Sequence, residues 1–200
     1  MVAIVLCLIL SFFLQECKDS VTGYSLIDLE TVIPLKVGSS WTYLDIIPSS
    51  LPTFPADSEL VNSEVYGYLD YANVRIYTMN GFIGEGDSAR YYESVTQTRY
   101  QRYREDEDGK RAVIATLLQT PVKRGNRWFF NGVDNSSGYA EITNPDTTVE
   151  IASGTFSGVI CVRQLAVNGN TWLIKPTTGI VFETHFIDVM VTRQLMETHF

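Results

Sequence analysis

Apolar and polar residues alternate along most of this chain, and Gly, Pro, Asn or Asp breaks the alternation at short intervals. That two-residue period is the signature of half-buried β-strands. It predicts strands over residues 41–47, 64–69, 73–78, 110–118, 137–142, 147–151, 159–167 and 171–175, with a final pair over 180–190 and 191–200. Residues 89–104, ARYYESVTQTRYQRYR, are dense in Tyr, Thr and Val and read as one long strand with a wet face. Turns are expected at 70–72, at Asn80-Gly81, at Asn131-Gly132, around Pro145, at 168–170 and at 176–179. Pro48, Pro52 and Pro55 mark a loop that cannot enter a sheet interior. Beyond the first 14 residues no window carries the three-and-four apolar spacing of a helix. The class expected is all-β: a curved antiparallel sheet, an open half-barrel or barrel.

One phrase occurs twice. Residues 34–43 read PLKVGSSWTY and residues 121–130 read PVKRGNRWFF, so Pro34, Lys36, Gly38 and Trp41 recur 87 positions on as Pro121, Lys123, Gly125 and Trp128. Its physical content is a stiff entry at proline, a turn at glycine and a strand that delivers a large aromatic to one face. The repetition divides the mature chain into possible related halves, 34–120 and 121–200. Trp41, Trp128 and Trp172 are expected as core anchors.

The first 14 residues, MVAIVLCLILSFFL, are uncharged and apolar. They are shorter than the roughly 20 residues of a membrane-spanning helix and fit the core of a signal peptide. Leu14-Gln-Glu-Cys17 resembles a bacterial lipobox, with Glu16 where a small residue is usual. The organisation expected is therefore a signal peptide over 1–16, a tether over 17–33 with lipid on Cys17, and one domain over 34–200. An ordinary secretory signal cleaved nearby, or a short anchor left in place, is the alternative. Cys161 stands alone in the folded part, so no internal disulfide framework is expected, and its strand setting suggests a buried, inert thiol.

Composition then narrows the partners. The formal net charge of −8 opposes a nucleic-acid partner, which needs clustered Lys and Arg, and opposes adhesion to anionic lipid by charge alone. In order along the chain, PLKVGSSWTY, YREDEDG, IASGTFSGVICV and WLIKPTTGIVFET resemble the phrases of a group of bacterial envelope lipoproteins with a Pro-Leu-Lys-Val-Gly-x-x-Trp-Thr-Tyr signature. Here Ala152-Ser153 replaces the usual Pro-Ala, and Pro176-Thr-Thr-Gly179 replaces Pro-Gly-Val-Gly. The resemblance implies an envelope-anchored β domain and supplies no catalytic residues.

No motif carries chemistry of its own. His185 and His199 could share an ion with Glu183 or Asp188 only if their strands bring them together, and surface histidines are the commoner case. Ser157 with His185 lacks the glycine-flanked serine of a nucleophile elbow. The acidic run 105–108 lacks calcium-loop spacing and reads as a solvated hairpin tip. Tyr91, Tyr100 and Tyr103 are the candidates for lining a concave face that stacks sugars or holds acyl chains. The expectation is a non-enzymatic, outer-membrane or surface lipoprotein without metal or cofactor. It would bind an apolar or glycan ligand, or else act as a structural component through contacts with envelope proteins. A roomy aromatic cavity would favour the first, and a filled core with open edges or exposed apolar patches the second.

Overall fold

A computed structural model describes residues 27–48, 57–81, 89–105, 109–131, 137–166, 169–186 and 190–200. Cys17 and the expected signal peptide lie outside these residues. Among the described residues one short helix, α1 (Leu29–Val32), precedes twelve strands. These are β1 (Ser40–Ile47), β2 (Asp57–Tyr71), β3 (Val74–Gly81), β4 (Ala89–Val95), β5 (Arg99–Glu105) and β6 (Arg111–Gln119), then β7 (Arg127–Asn131), β8 (Ser137–Ile151), β9 (Gly154–Gln164), β10 (Thr171–Lys175), β11 (Gly179–Phe186) and β12 (Met190–His199).

All twelve form one antiparallel sheet in the order β6-β5-β4-β3-β2-β1-β12-β11-β10-β9-β8-β7, nearly closed into a barrel with a single seam between β6 and β7. Each half of the chain is thus a six-stranded meander, and the two meanders join where β1 pairs with β12. The repeated phrase starts each meander and builds the same local structure twice. Ser39 N–H bonds the Lys36 carbonyl, as Asn126 N–H bonds Lys123. Gly38 N–H reaches Val65 on β2, as Gly125 N–H reaches Ile142 on β8. Both glycines sit at positive φ, +89° and +78°, where a side chain would be strained. Trp41 and Trp128 are both buried, and each indole donates to a backbone carbonyl, Thr178 at 2.7 Å and Thr116 at 2.8 Å.

Several expected boundaries move. Residues 89–104 are two strands: Thr96–Thr98 turn the chain, with Thr96 and Arg99 bonded through their backbones and Thr96 Oγ1 accepting from Arg99 N–H. Asn80-Gly81 ends strand β3 instead of making a turn, and the β2–β3 turn is made by Ala72 and Asn73, both at positive φ. Residues 137–151 are one strand, β8, in which Pro145 is absorbed where the pairing to β9 shifts register between Ile142 and Val149. Cys161 is half-buried, out of step with the fully buried Ile160 and Val162 on either side. The packed body also begins before residue 34, because Leu29 and Ile33 belong to the main core.

Candidate functional site

The inward positions of the strands dictate the site. Across β4 and β5, Tyr91, Glu93, Tyr100 and Arg102 face the interior, joined there by Tyr43 of β1, Glu183 of β11 and Arg193 of β12. Asp45 of β1, likewise buried, grips Arg193 through two contacts of 2.7 Å. Arg102 reaches in two directions: its Nε donates to Glu93 Oε1 at 3.0 Å, and its terminal nitrogen donates to Glu183 Oε1 at 3.0 Å. Glu93 Oε2 lies 2.6 Å from the Tyr100 hydroxyl, and the Trp172 indole donates to Glu183 at 2.8 Å. The guanidinium of Arg102 lies over the Tyr91 ring and that of Arg193 over the Tyr43 ring. Tyr91 completes the set with a 3.2 Å bond to Ser63.

Burial and charge act against each other here. Burial raises the Glu183 carboxyl, yet Arg102, Arg193 and His185 outweigh it, with help from the Trp172 indole, and hold it at about 2. Glu93 goes the other way: burial pushes it up, Arg102 and Tyr100 only partly oppose, and neighbouring Glu183 adds to the rise. Burial pushes the Tyr91 hydroxyl up to about 12, with a further push from Glu93. The His185 imidazole, at the same end of β11, is held below its usual value, first by burial.

A segment at the N-terminal side closes this interior. Asp28 caps α1 by accepting from Glu30 N–H, and the segment is tied at both ends by backbone bonds. Leu29 N–H donates to Gln97 in the β4–β5 turn, and the Val32 carbonyl accepts from Thr177 in the β10–β11 turn. Leu29, Ile33 and Leu35 are buried by this strap. Beneath it, between Ile33 and Leu35 on one side and the charged groups on the other, is a cavity of about 20 Å³, space for one water molecule.

Of the three tyrosines singled out in the sequence, Tyr91 and Tyr100 are brought together inside, and both are almost fully buried. Tyr103 lies on the opposite face, in a small cluster with Ile76 and Tyr92, where its hydroxyl is 2.9 Å from Ser94 Oγ. His185 and His199 stand near opposite ends of β12: His185 faces Val191, whereas His199 pairs with Glu197. Among the described residues no group of three or more His, Cys, Asp or Glu could hold a metal, and no helix is long and apolar enough to cross a membrane. The buried acids and arginines escaped the sequence reading because they come from strands far apart in the chain. Their one local trace is a charged residue at an inward parity of an otherwise apolar strand, as Asp45 is after Trp41 and Tyr43.

On the outside, Phe129 of β7 and Tyr139 of β8 are paired in register, more than half exposed, with ring centroids 5.6 Å apart. They sit at the seam edge, where β7 has a hydrogen-bonded neighbour on one side only among the described strands.

No family model matches the sequence, and no curated protein matches it. Among solved structures the chain is similar to a Bacteroides fragilis protein inferred to be exported, whose fold is described as YmcC-like. The TM-score is 0.51 at 10 % identity, over 85 % of this chain and 99 % of that one. A Parabacteroides distasonis protein inferred to be a lipoprotein aligns over 84 % of this chain and 99 % of its own, at 8 % identity and a TM-score of 0.48. The likeness to the Bacteroides fragilis protein shows that the barrel shares its YmcC-like fold.

Proposed function

We propose that this chain is an exported, non-enzymatic protein of the bacterial envelope, anchored in the outer membrane through lipid on Cys17, and that it works through its outer surface as an assembly component. The inferred export of the Bacteroides fragilis protein with this fold supports the compartment. The apolar leader with its lipobox-like Leu14 and Cys17, and the likeness to the Pro-Leu-Lys-Val-Gly lipoprotein group, support it independently.

One observation carries the surface role: among the described residues, the interior around the buried charges is occupied. Ligand pockets of small molecules run to hundreds of cubic ångströms, and the space under the strap takes one water. The Phe129–Tyr139 pair beside the open edge of β7 offers instead the kind of aromatic anchor that protein contacts use. A photo-crosslinking residue in place of Phe129 is expected to trap a discrete envelope protein in the producing cell, whereas the same residue at exposed Leu60 is not. Equal labelling from both positions would remove the support for this surface.

The ligand-binding alternative is favoured by one feature, the exposed tyrosines Tyr66, Tyr68 and Tyr71 along β2, with Arg75 stacked over Tyr68. A glycan would then bind on these exposed rings, apart from the buried charges.

A further inference from the structure

The barrel interior contains three carboxylates, Asp45, Glu93 and Glu183, and two guanidiniums, Arg102 and Arg193, each less than a tenth exposed. Ionised throughout, this group would carry one surplus negative charge in a place that water hardly reaches. Asp45 does not carry the surplus, because both its oxygens are matched by Arg193. Nor does Glu183, which accepts from Arg102 and the Trp172 indole and also feels Arg193. Among the described residues Glu93 has only a share of Arg102 and one contact with a neutral hydroxyl. An isolated buried charge is resolved by taking up a proton when no counter-ion is at hand.

We infer that Glu93 is a buried proton-binding site, holding its carboxylic acid hydrogen on Oε2 toward Tyr100 at neutral pH, so that the barrel interior is electrically balanced only while that proton is bound. Arg102 Nε donates to Oε1, which leaves Oε2 as the oxygen that bears the hydrogen. Its 2.6 Å contact with the Tyr100 hydroxyl serves a donating acid as well as an accepting carboxylate. Tyr100 can then turn its own hydrogen into the cavity, where one water fits.

The groups around Glu93 come from several strands, and Arg102 and Tyr100 oppose the effect of burial only in part. Tyr77 of β3 stands opposite it in register, Tyr91 is on its own strand, and Tyr100 and Arg102 face it from β5. Tyr43 of β1, Ser63 of β2, Glu183 of β11 and Arg193 of β12 share the cavity wall, and Asp45 lies behind Arg193. Within this set the only cations are the two arginines, and both are already engaged. Burial, the largest influence, pushes the Glu93 carboxyl up.

The consequence is a pH-sensitive tie across the barrel. Arg102 links the β4–β5 hairpin of the first meander to β11 of the second without any sheet pairing between them. Loss of the Glu93 proton adds a second full charge competing for the same guanidinium. A group whose value is raised by folding stabilises below its unfolded value and loses that contribution as pH rises, so alkali should loosen this tie.

The test is infrared spectroscopy in heavy water of the soluble chain with Cys17→Ser. At neutral pH the protein should show the carbonyl stretch of a protonated carboxylic acid, corresponding to one group per chain. Glu93→Gln should remove the band. Glu183→Gln should remove it as well, because two carboxylates then face two guanidiniums and Glu93 can ionise. A wild-type spectrum without the band overturns the inference whatever the variants do, and so does a band that survives Glu93→Gln. If His185, whose Nε2 is buried and has no hydrogen-bond partner among the described residues, held the proton instead, the acid band would be missing from the wild type.

Discussion

Arg193 shows how unequal the charged residues of this protein are. It binds Asp45 through two short contacts, and Asp45 is wholly shielded from solvent. A pair of this kind contributes little beyond what an apolar pair of the same shape would, yet breaking one side strands the other. Arg193→Met is therefore expected to cost about 3–5 kcal/mol, read from urea denaturation. Glu183 makes a second residue-level prediction. Its carboxyl is held at about 2, against burial, chiefly by Arg102 and Arg193. A lowered carboxylate contributes stability that is present above its ordinary value of 4.5 and is lost as pH falls toward the folded value. Stability should thus decline between about pH 4.5 and pH 2, and Glu183→Gln should flatten that part of the profile, starting from a lower plateau.

At the scale of elements, the twice-used phrase is a device for starting a meander: a turn that needs a left-handed glycine, then a strand with an indole aimed at a carbonyl. An added methyl group at Gly38 or Gly125 would meet nothing within 4 Å, so the only penalty is the backbone conformation itself. Gly38→Ala and Gly125→Ala should each destabilise by about 1 kcal/mol, and by similar amounts, as measured by thermal or urea unfolding. Unequal penalties would mean that the two turns are not equivalent. This element was legible in the sequence because Pro, Gly and Trp each impose a distinct local constraint. The β4–β5 turn was not, since Thr96-Gln-Thr98 lacks Gly, Pro, Asn and Asp and turns through the Thr96 hydroxyl and backbone. That turn decides which residues meet: it lets Tyr91 and Tyr100, of opposite parity in one continuous strand, face the same interior. Pro145 misled in the other direction, because a register shift in the β8–β9 pairing accommodates what usually ends a strand.

At the scale of the molecule, the two meanders meet at two places that would be equivalent in a perfect repeat. One, β1 with β12, is fully paired, and the other, β7 with β6, is open. The class and the halves followed from periodicity and repetition, whereas the seam, the strap and the charged interior depend on how distant strands close on one another. Among the described residues, strap and charges together fill the space that an aromatic-rich barrel would otherwise offer to a ligand, which leaves the outside as the working surface.

Native mass spectrometry of the chain, exported with Cys17→Ser so that no covalent lipid is attached, tests that claim most directly. With the interior filled, a single mass equal to that of the polypeptide is expected. A reproducible additional mass that disappears on denaturation would contradict it, and would show that the protein carries a ligand after all.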